Sequence, residues 1–348
     1  MCITLCSGRA YNLEPLQPLG AIVHGLQLRS RPAAAVIDDL LHDAAHHGFL
    51  VFRNQSLPGD TLRRVSAYFG ELAVAHTCHP EVVHCDILRL SNRPEHGIQA
   101  VGPQWHADGS FERRVYSHVL FHSQQLPSGG GGGTEISDLA AAYDSLPVQR
   151  QAELSRLASV NAFSGAVHPL VHSHPASGRR LLFMHLGQTG AVVRWPEESP
   201  TGECSSTTVA LESMAAGVGP TRERGHSLLG AAELRALAHE LNALLLRHAI
   251  TWTYGPHDLV LLDNLAVAHR ATPEVHDHDD DAAGLRVLHR TTIRGTVPLD
   301  PPVTCGLPPF AHIWSQGSPL GEGDYGVWQG SDNFGAGFRW NATIPMRN

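Results

Sequence analysis

Residues 104–111, QWHADGSF, set a histidine and an aspartate two positions apart, just ahead of a Gly-Ser turn. In an extended segment side chains alternate faces, so His106 and Asp108 would point the same way with Ala107 turned aside. An imidazole and a carboxylate on one face make either a hydrogen-bonded pair or two ligands for a metal. The chain has 24 histidines, so an HxD alone favours the first reading. His269 adds weight to the second, because it closes the apolar run DLVLLDNLAVAHRA (258–271) where a turn begins. Two histidines and one carboxylate leave about three positions open on a six-coordinate ion, the ligand set of non-haem Fe(II) oxygenases. A keto acid can take two of those positions and O2 the third. A histidine at a strand end is more often a plain hydrogen-bonding residue, and at this level both readings stand.

Just downstream, GLRVLHRTTIRG (284–295) places Arg286 and Arg290 four apart, on one face of a strand. Burying two guanidinium groups is costly unless each meets an anion. Their partners are either protein carboxylates, Asp263 for example, or two bound carboxylate-like groups. Other histidine clusters compete for a metal. HPLVHSHP (168–175) spaces His168 and His172 four apart, but Pro169 and Pro175 argue against a helical ligand face, and the chain has no HExxH. HDHDDD (276–281) is chelating in composition and reads as a solvated loop. HPEVVHCD (79–86), with one cysteine and spaced histidines, is a weak zinc signal.

The chemistry needs a scaffold, and the totals bound it. A net charge of −8 argues against nucleic acid or an anionic membrane as partner, yet a pocket with one or two placed cations can still take a small anion. The six cysteines are scattered without a CxxC, which predicts no disulfide framework and a reducing compartment. No stretch nears the about 20 apolar residues of a membrane span. The start, MCITLCSGRAYNLEP, lacks a leader pattern, so the expected location is cytoplasmic, with an organelle left open.

Residues 18–28 read as a strand, 32–47 as an amphipathic helix ended by Gly48, FLVF (49–52) as a buried strand and 56–72 as a helix. Strands follow at 87–90, 115–125 and 179–185, with a helix over 137–157 capped by Ser137 or Asp138 and another over 230–248. The runs 258–271 and 284–295 read as two successive buried strands. Strands and helices do not alternate as in βαβ units, so the pattern predicts an α+β, mainly β chain: an antiparallel sheet sandwich with helical decoration. Residues 129–133, 201–209 and 277–284 look like insertions. Nothing demands a second domain; a single catalytic domain over 1–348 is expected, with its core at about 16–297 and a tail, 298–348, of unassigned role.

Stretches in a fixed order carry a resemblance: HGFLVFRNQSL, FGEL, WHADGSF, LPSGGGGGT, DLAAAYDSLP, YGPHDLVLLDNLAVAHRATP and LRVLHRTTIRG. Together they resemble the TauD/TfdA (taurine dioxygenase) family of Fe(II)- and 2-oxoglutarate-dependent dioxygenases, over most of the chain up to about residue 297. The resemblance implies a double-stranded β-helix (jelly-roll) core with flanking helices, and His106, Asp108 and His269 as Fe(II) ligands. It implies Thr134 and Arg286 on the distal carboxylate of 2-oxoglutarate, with O2 as second co-substrate. Arg290 falls where taurine-type members hold the substrate's anionic group, and His76 and His79 fall near positions lining that pocket. Gly109, in place of a bulkier residue, implies a roomier pocket. Gly102 stands where taurine enzymes carry an asparagine, and the loop between His269 and Arg286 is long; both leave taurine itself open. The implied activity is hydroxylation of a small anionic organic substrate, sulfonate-like or carboxylate, with release of succinate and CO2. A catalytically silent sensor on the same scaffold would show a broken triad or a lost anchor arginine, and neither is seen. A zinc hydrolase built from the histidine clusters is the third reading. Members are often dimers or tetramers, which leaves a homo-oligomer open.

Overall fold

The computed structural model describes residues 10–75, 78–82, 84–99, 102–128, 132–162, 164–194, 227–272 and 284–299. The chain begins with β1 (Asn12–Pro15), β2 (Ala21–His24), α1 (Ala34–His47), β3 (Phe49–Phe52) and α2 (Gly59–Ser66). Next come β4 (Leu88–Ser91), β5 (His118–Gln125), β6 (Thr134–Asp138), α3 (Leu139–Asp144) and α4 (Val148–Leu154). Short strands follow: β7 (Leu157–Asn161), β8 (Val167–Pro169), β9 (Val171–Ser173), β10 (Arg180–Leu182), β11 (Thr189–Arg194) and β12 (Ser227–Leu228). The last elements are α5 (Ala231–Arg247), β13 (Ala249–Trp252), β14 (Leu259–Asp263), β15 (Val267–Ala271) and β16 (Val287–Ile293). No described helix is long and apolar enough to cross a membrane.

A seven-stranded sheet runs in the order β1-β2-β3-β14-β5-β16-β4, and a three-stranded sheet in the order β13-β6-β15. Pairing is antiparallel except between β2 and β3. The strand LVLLD of β14 is buried throughout because both its faces are covered. Leu259 and Leu261 pack with Leu40 and Ala44 of α1 and Leu62 and Val65 of α2. Val260 and Leu262 face the other way, into a layer with Ile136, Trp252, Tyr254 and Val267 from or beside the smaller sheet. Helix α5 packs through Leu234, Leu237, Leu241 and Leu245 on Leu139, Ala142 and Ala268. The result is a jelly-roll-like sandwich with helices outside, as the alternation of apolar residues predicts.

Three local expectations change. The run 258–271 is two strands rather than one: β14 ends at Asp263, whose Oδ1 accepts the backbone N–H groups of Leu265 (3.0 Å) and Ala266 (3.1 Å), and the chain crosses to the smaller sheet as β15. The helix read over 137–157 is broken at Pro147, which has no N–H to continue the ladder and instead stands as the N-cap of α4. Asp138 caps α3, accepting from Ala140 and Ala141 N–H at 2.9 Å. Against the expectation of no disulfide, Cys78 and Cys85 are joined. The turn closed by Val82 N–H on the His79 carbonyl brings their Cα atoms to 4.8 Å, and no cysteine-spacing motif signals that approach. The expected insertions at 201–209 and 277–284 and the tail 298–348 lie outside the described residues, apart from Gly284, Pro298 and Leu299.

Because β14 is central and covered on both faces, Leu261→Ala should lower the free energy of unfolding by about 2–5 kcal/mol, the range for emptying a fully buried leucine site. A denaturant midpoint unchanged from wild type would contradict the two-sided burial.

Candidate active site

Register brings the candidate residues together. Backbone hydrogen bonds in both directions pair His106 with His269, adding the QWHAD segment to the edge of the smaller sheet beside β15. His269 lies opposite Ile136 on β6, and Thr134, two residues along, lies opposite Ala271 and Trp252 on the same face. From the larger sheet, Arg290 is paired with Phe121 and Phe121 with Val260. The Phe121 ring meets His269 edge-on at 5.6 Å, so the two sheets face one another across the site.

At the centre, His106, Asp108 and His269 each offer a buried ligand atom, all within 4.8 Å of one another. His106 Nε2 is 3.8 Å from Asp108 Oδ1, and His269 Nε2 is 3.7 Å from Asp108 Oδ2. These gaps are too long for hydrogen bonds. Two donor atoms held at about 2.0–2.2 Å from one ion stand no more than about 4.4 Å apart, and both gaps fall within that. His106 Nδ1–H donates to the Gln104 carbonyl at 2.7 Å, leaving the Nε2 lone pair toward the carboxylate. Asp108 Oδ2 and both ring nitrogens of His269 are buried without a hydrogen-bond partner among the described residues. Leaving such atoms bare is costly, and a divalent ion would satisfy Asp108 Oδ2 and the His269 Nε2 that faces it.

The charge states fit the same use. Burial holds the imidazoles below their ordinary range, His269 to about 3, so both are neutral and able to ligate. Burial alone would raise the Asp108 carboxyl, but the Arg290 guanidinium beside it opposes that and the carboxyl stays below the usual range. Arg290 Nη1 donates to Asp108 Oδ1 at 2.9 Å, while its buried Nε has no partner among the described residues. His185, which the sequence did not single out, puts its ring 5.0 Å from that of His106.

A second polar group lies along the same sandwich. Arg286 is buried and donates through Nε to the Gly132 carbonyl at 2.5 Å. A Cβ on Gly132 would fall 2.5 Å from Arg286 Cδ, and the residue has φ +70°, so the Gly-rich turn admits the guanidinium by lacking a side chain. Thr134 and Tyr254 share a hydroxyl–hydroxyl hydrogen bond of 2.9 Å, and burial pushes the Tyr254 phenol up to about 12. Tyr254 was missed because its place depends on the β13–β6 pairing; a buried phenol's need for a partner was the only signal.

Other assignments move. Asp263 pairs with His174 (3.1 Å) and lies 3.8 Å from His118, not with either arginine. The expected roominess at Gly109 is taken up, since a Cβ there would fall 2.8 Å from the Tyr116 ring. His79 is half-buried in the loop before β4, its Nδ1 accepting from Glu81 N–H at 3.2 Å; His76 lies outside the described residues. Among the described residues the cluster 79–86 forms no metal set: His84 pairs with Asp60 at 2.7 Å and Cys85 is in the disulfide.

Comparison with known proteins agrees with this arrangement. Residues 12–292 match the family described as "Taurine catabolism dioxygenase TauD, TfdA family". The chain is 27% identical over 341 residues to an alpha-ketoglutarate-dependent 2,4-dichlorophenoxyacetate dioxygenase of Burkholderia sp. (strain RASC), covering 88% of this chain and 99% of that one. It is 23% identical over 308 residues to an alpha-ketoglutarate-dependent sulfate ester dioxygenase of Pseudomonas putida, covering 81% and 88%. The crystal structure of a taurine dioxygenase from Burkholderia xenovorans superposes with a TM-score of 0.62 at 24% identity, over 84% of this chain and 92% of that one, which shows the fold.

Burial also sets an acid limit. His122, His168 and His172 are each pulled down to about 4 by burial, against about 6.5 when unfolded. Between those values the unfolded chain binds more protons, so stability falls as pH drops from about 6.5 toward 4. The thermal midpoint of the metal-free protein should decline steadily over that window; a flat profile would contradict the neutral burial of these rings.

Proposed function

As the chain belongs to the TauD, TfdA dioxygenase family, we propose that it is an Fe(II)- and 2-oxoglutarate-dependent dioxygenase that hydroxylates a small anionic organic substrate, releasing succinate and CO2. One observation carries the reading: two neutral imidazoles and one carboxylate, buried and converged to within 4.8 Å, on a chain of this family. His106, Asp108 and His269 would hold the ion, which supplies oxidative decarboxylation of 2-oxoglutarate by O2 and the oxidation of the substrate C–H bond. Residues 1–348 act as one catalytic domain, its core at about 16–297.

The rest of the site binds, orients and keeps water out. Arg286, with the Thr134–Tyr254 hydroxyl pair beside it, takes the distal carboxylate of 2-oxoglutarate through charge-assisted hydrogen bonds. Arg290, already donating to Asp108, has its Nε left for an anionic substrate group, so one guanidinium ties the carboxylate ligand to the substrate. Phe121 walls the interior beside His269 and excludes water from the reacting side. Relatives named for an aryloxyacetate and for sulfate esters support a carboxylate or sulfate-like anion as substrate. The intact triad and both arginines favour turnover over a silent sensor.

The direct test is a substrate panel of sulfonates, sulfate esters and aryloxyacetates with Fe(II), 2-oxoglutarate and ascorbate, reading succinate. O2-dependent succinate that rises with one class of anion is expected. Activity with zinc and no need for 2-oxoglutarate would refute the reading.

Arg290→Gln should raise KM for the accepted anion by about 10-fold or more, the loss of a charged hydrogen bond. Substrate-independent turnover of 2-oxoglutarate should stay largely intact in the same assay. A parallel fall of both would place Arg290's main role on Asp108 instead.

A further inference from the structure

The HxDGS segment is gripped from behind through its main chain. Asn264 is fully buried in the turn between β14 and β15. Its Oδ1 accepts the Asp108 backbone N–H at 2.8 Å, and its Nδ2 donates to the carbonyls of Asp108 (2.9 Å) and Tyr116 (2.7 Å). A carboxamide satisfies the main-chain donor and acceptor of one residue together; aspartate keeps the shape and the acceptor but loses the donors.

The turn is itself fixed. Asp263 Oδ1 holds the N–H groups of Leu265 and Ala266, and its Oδ2 accepts from His174 Nε2–H at 3.1 Å. The His174 proton is on Nε2 because Nδ1 accepts the N–H groups of Ala176 and Ser177, each at 3.1 Å. One residue beyond Gly109, the Ser110 carbonyl accepts from His168 Nε2–H at 2.9 Å. The HPLVHSHP motif is thus a brace for the neighbouring segment.

We propose that Asn264 is a positioning residue for the metal centre. It fixes the main chain of Asp108 so that the carboxylate is aimed at His106 and His269 before an ion arrives, with Asp263 and His174 bracing Asn264. His269 lies on β15, the strand that follows the same turn, so one turn sets the relation between two ligands that are distant in sequence. The inference rests on the metal reading above.

The test uses the full-length metal-free protein as wild type, Asn264→Asp, Asn264→Ser and Ser137→Ala. Mn(II) affinity is read by calorimetry, the Co(II) complex by visible absorption and folding by thermal midpoint. Both Asn264 variants should bind Mn(II) about 10- to 100-fold more weakly, the usual cost of losing an outer partner of a ligand, and show an altered Co(II) spectrum. Should Asn264→Asp not fold, Asn264→Ser carries the comparison. Ser137→Ala removes another buried hydrogen bond, from Ser137 Oγ to the Leu245 carbonyl at 2.7 Å, without touching Asp108. It should lower the midpoint and leave Mn(II) affinity unchanged. Wild-type affinity and spectrum in both Asn264 variants, or an equal loss in Ser137→Ala, would overturn the proposal. A wild-type protein that binds neither Mn(II) nor Co(II) would overturn the metal reading and this inference with it.

Discussion

A carboxylate taken out of water must be repaid by neighbours, and the interior of this protein is arranged around that requirement at Asp108. Desolvation opposes the charge, and a guanidinium from the larger sheet opposes the desolvation. No single neighbour makes a complete partner. Arg290 meets one oxygen, while the other has no hydrogen-bond partner among the described residues. A structural ion pair would be expected to satisfy both oxygens, so the incomplete pairing is itself a sign of a binding site.

The sandwich architecture makes the arrangement affordable. The helices on the outer face of the larger sheet let its central strand be apolar on both sides, and the inter-sheet layer then shields the ring of His269. Polar groups enter that layer from its margins: the HxD segment at the edge beside β15, Thr134 at the start of β6, and Arg286 immediately before β16. The HxD segment, Thr134 and Arg286 enter at edges and strand ends, while Arg290 comes from the middle of β16, which is paired on both sides and so held rigid.

The sequence shows the parts of this scheme that depend on local pattern. His106 and Asp108 could be paired because alternation needs only two residues of spacing, and the two arginines because four residues return to one face. The amphipathic spacing of 32–47 identified α1, whose Leu40 and Ala44 are buried, and 230–248 was legible as the helix α5. What stayed hidden depended on contacts between distant segments. Asn264, Leu265 and Ala266 contain no glycine or proline, so the turn that divides 258–271 reads as continuous strand; its turn signal is the Asp263 carboxylate, whose role is visible only with the backbone in place. Tyr254, His185 and the Cys78–Cys85 link likewise take their meaning from neighbours that spacing alone does not name. Gly109 shows the opposite error. A missing side chain was read as space, but Tyr116 fills it.

Arg286 and Arg290 share one continuous length of extended chain, which makes that strand a fixed ruler. Four residues at ordinary rise span about 13 Å. The backbone therefore sets the spacing of the two Cα atoms, and the side chains decide where each guanidinium reaches. Moving either arginine by a single residue along the strand would turn it to the opposite face of the sheet. A different spacing between the two groups would have to come from their side chains or from the loops at the strand's margins, while the backbone that carries both arginines stays unchanged.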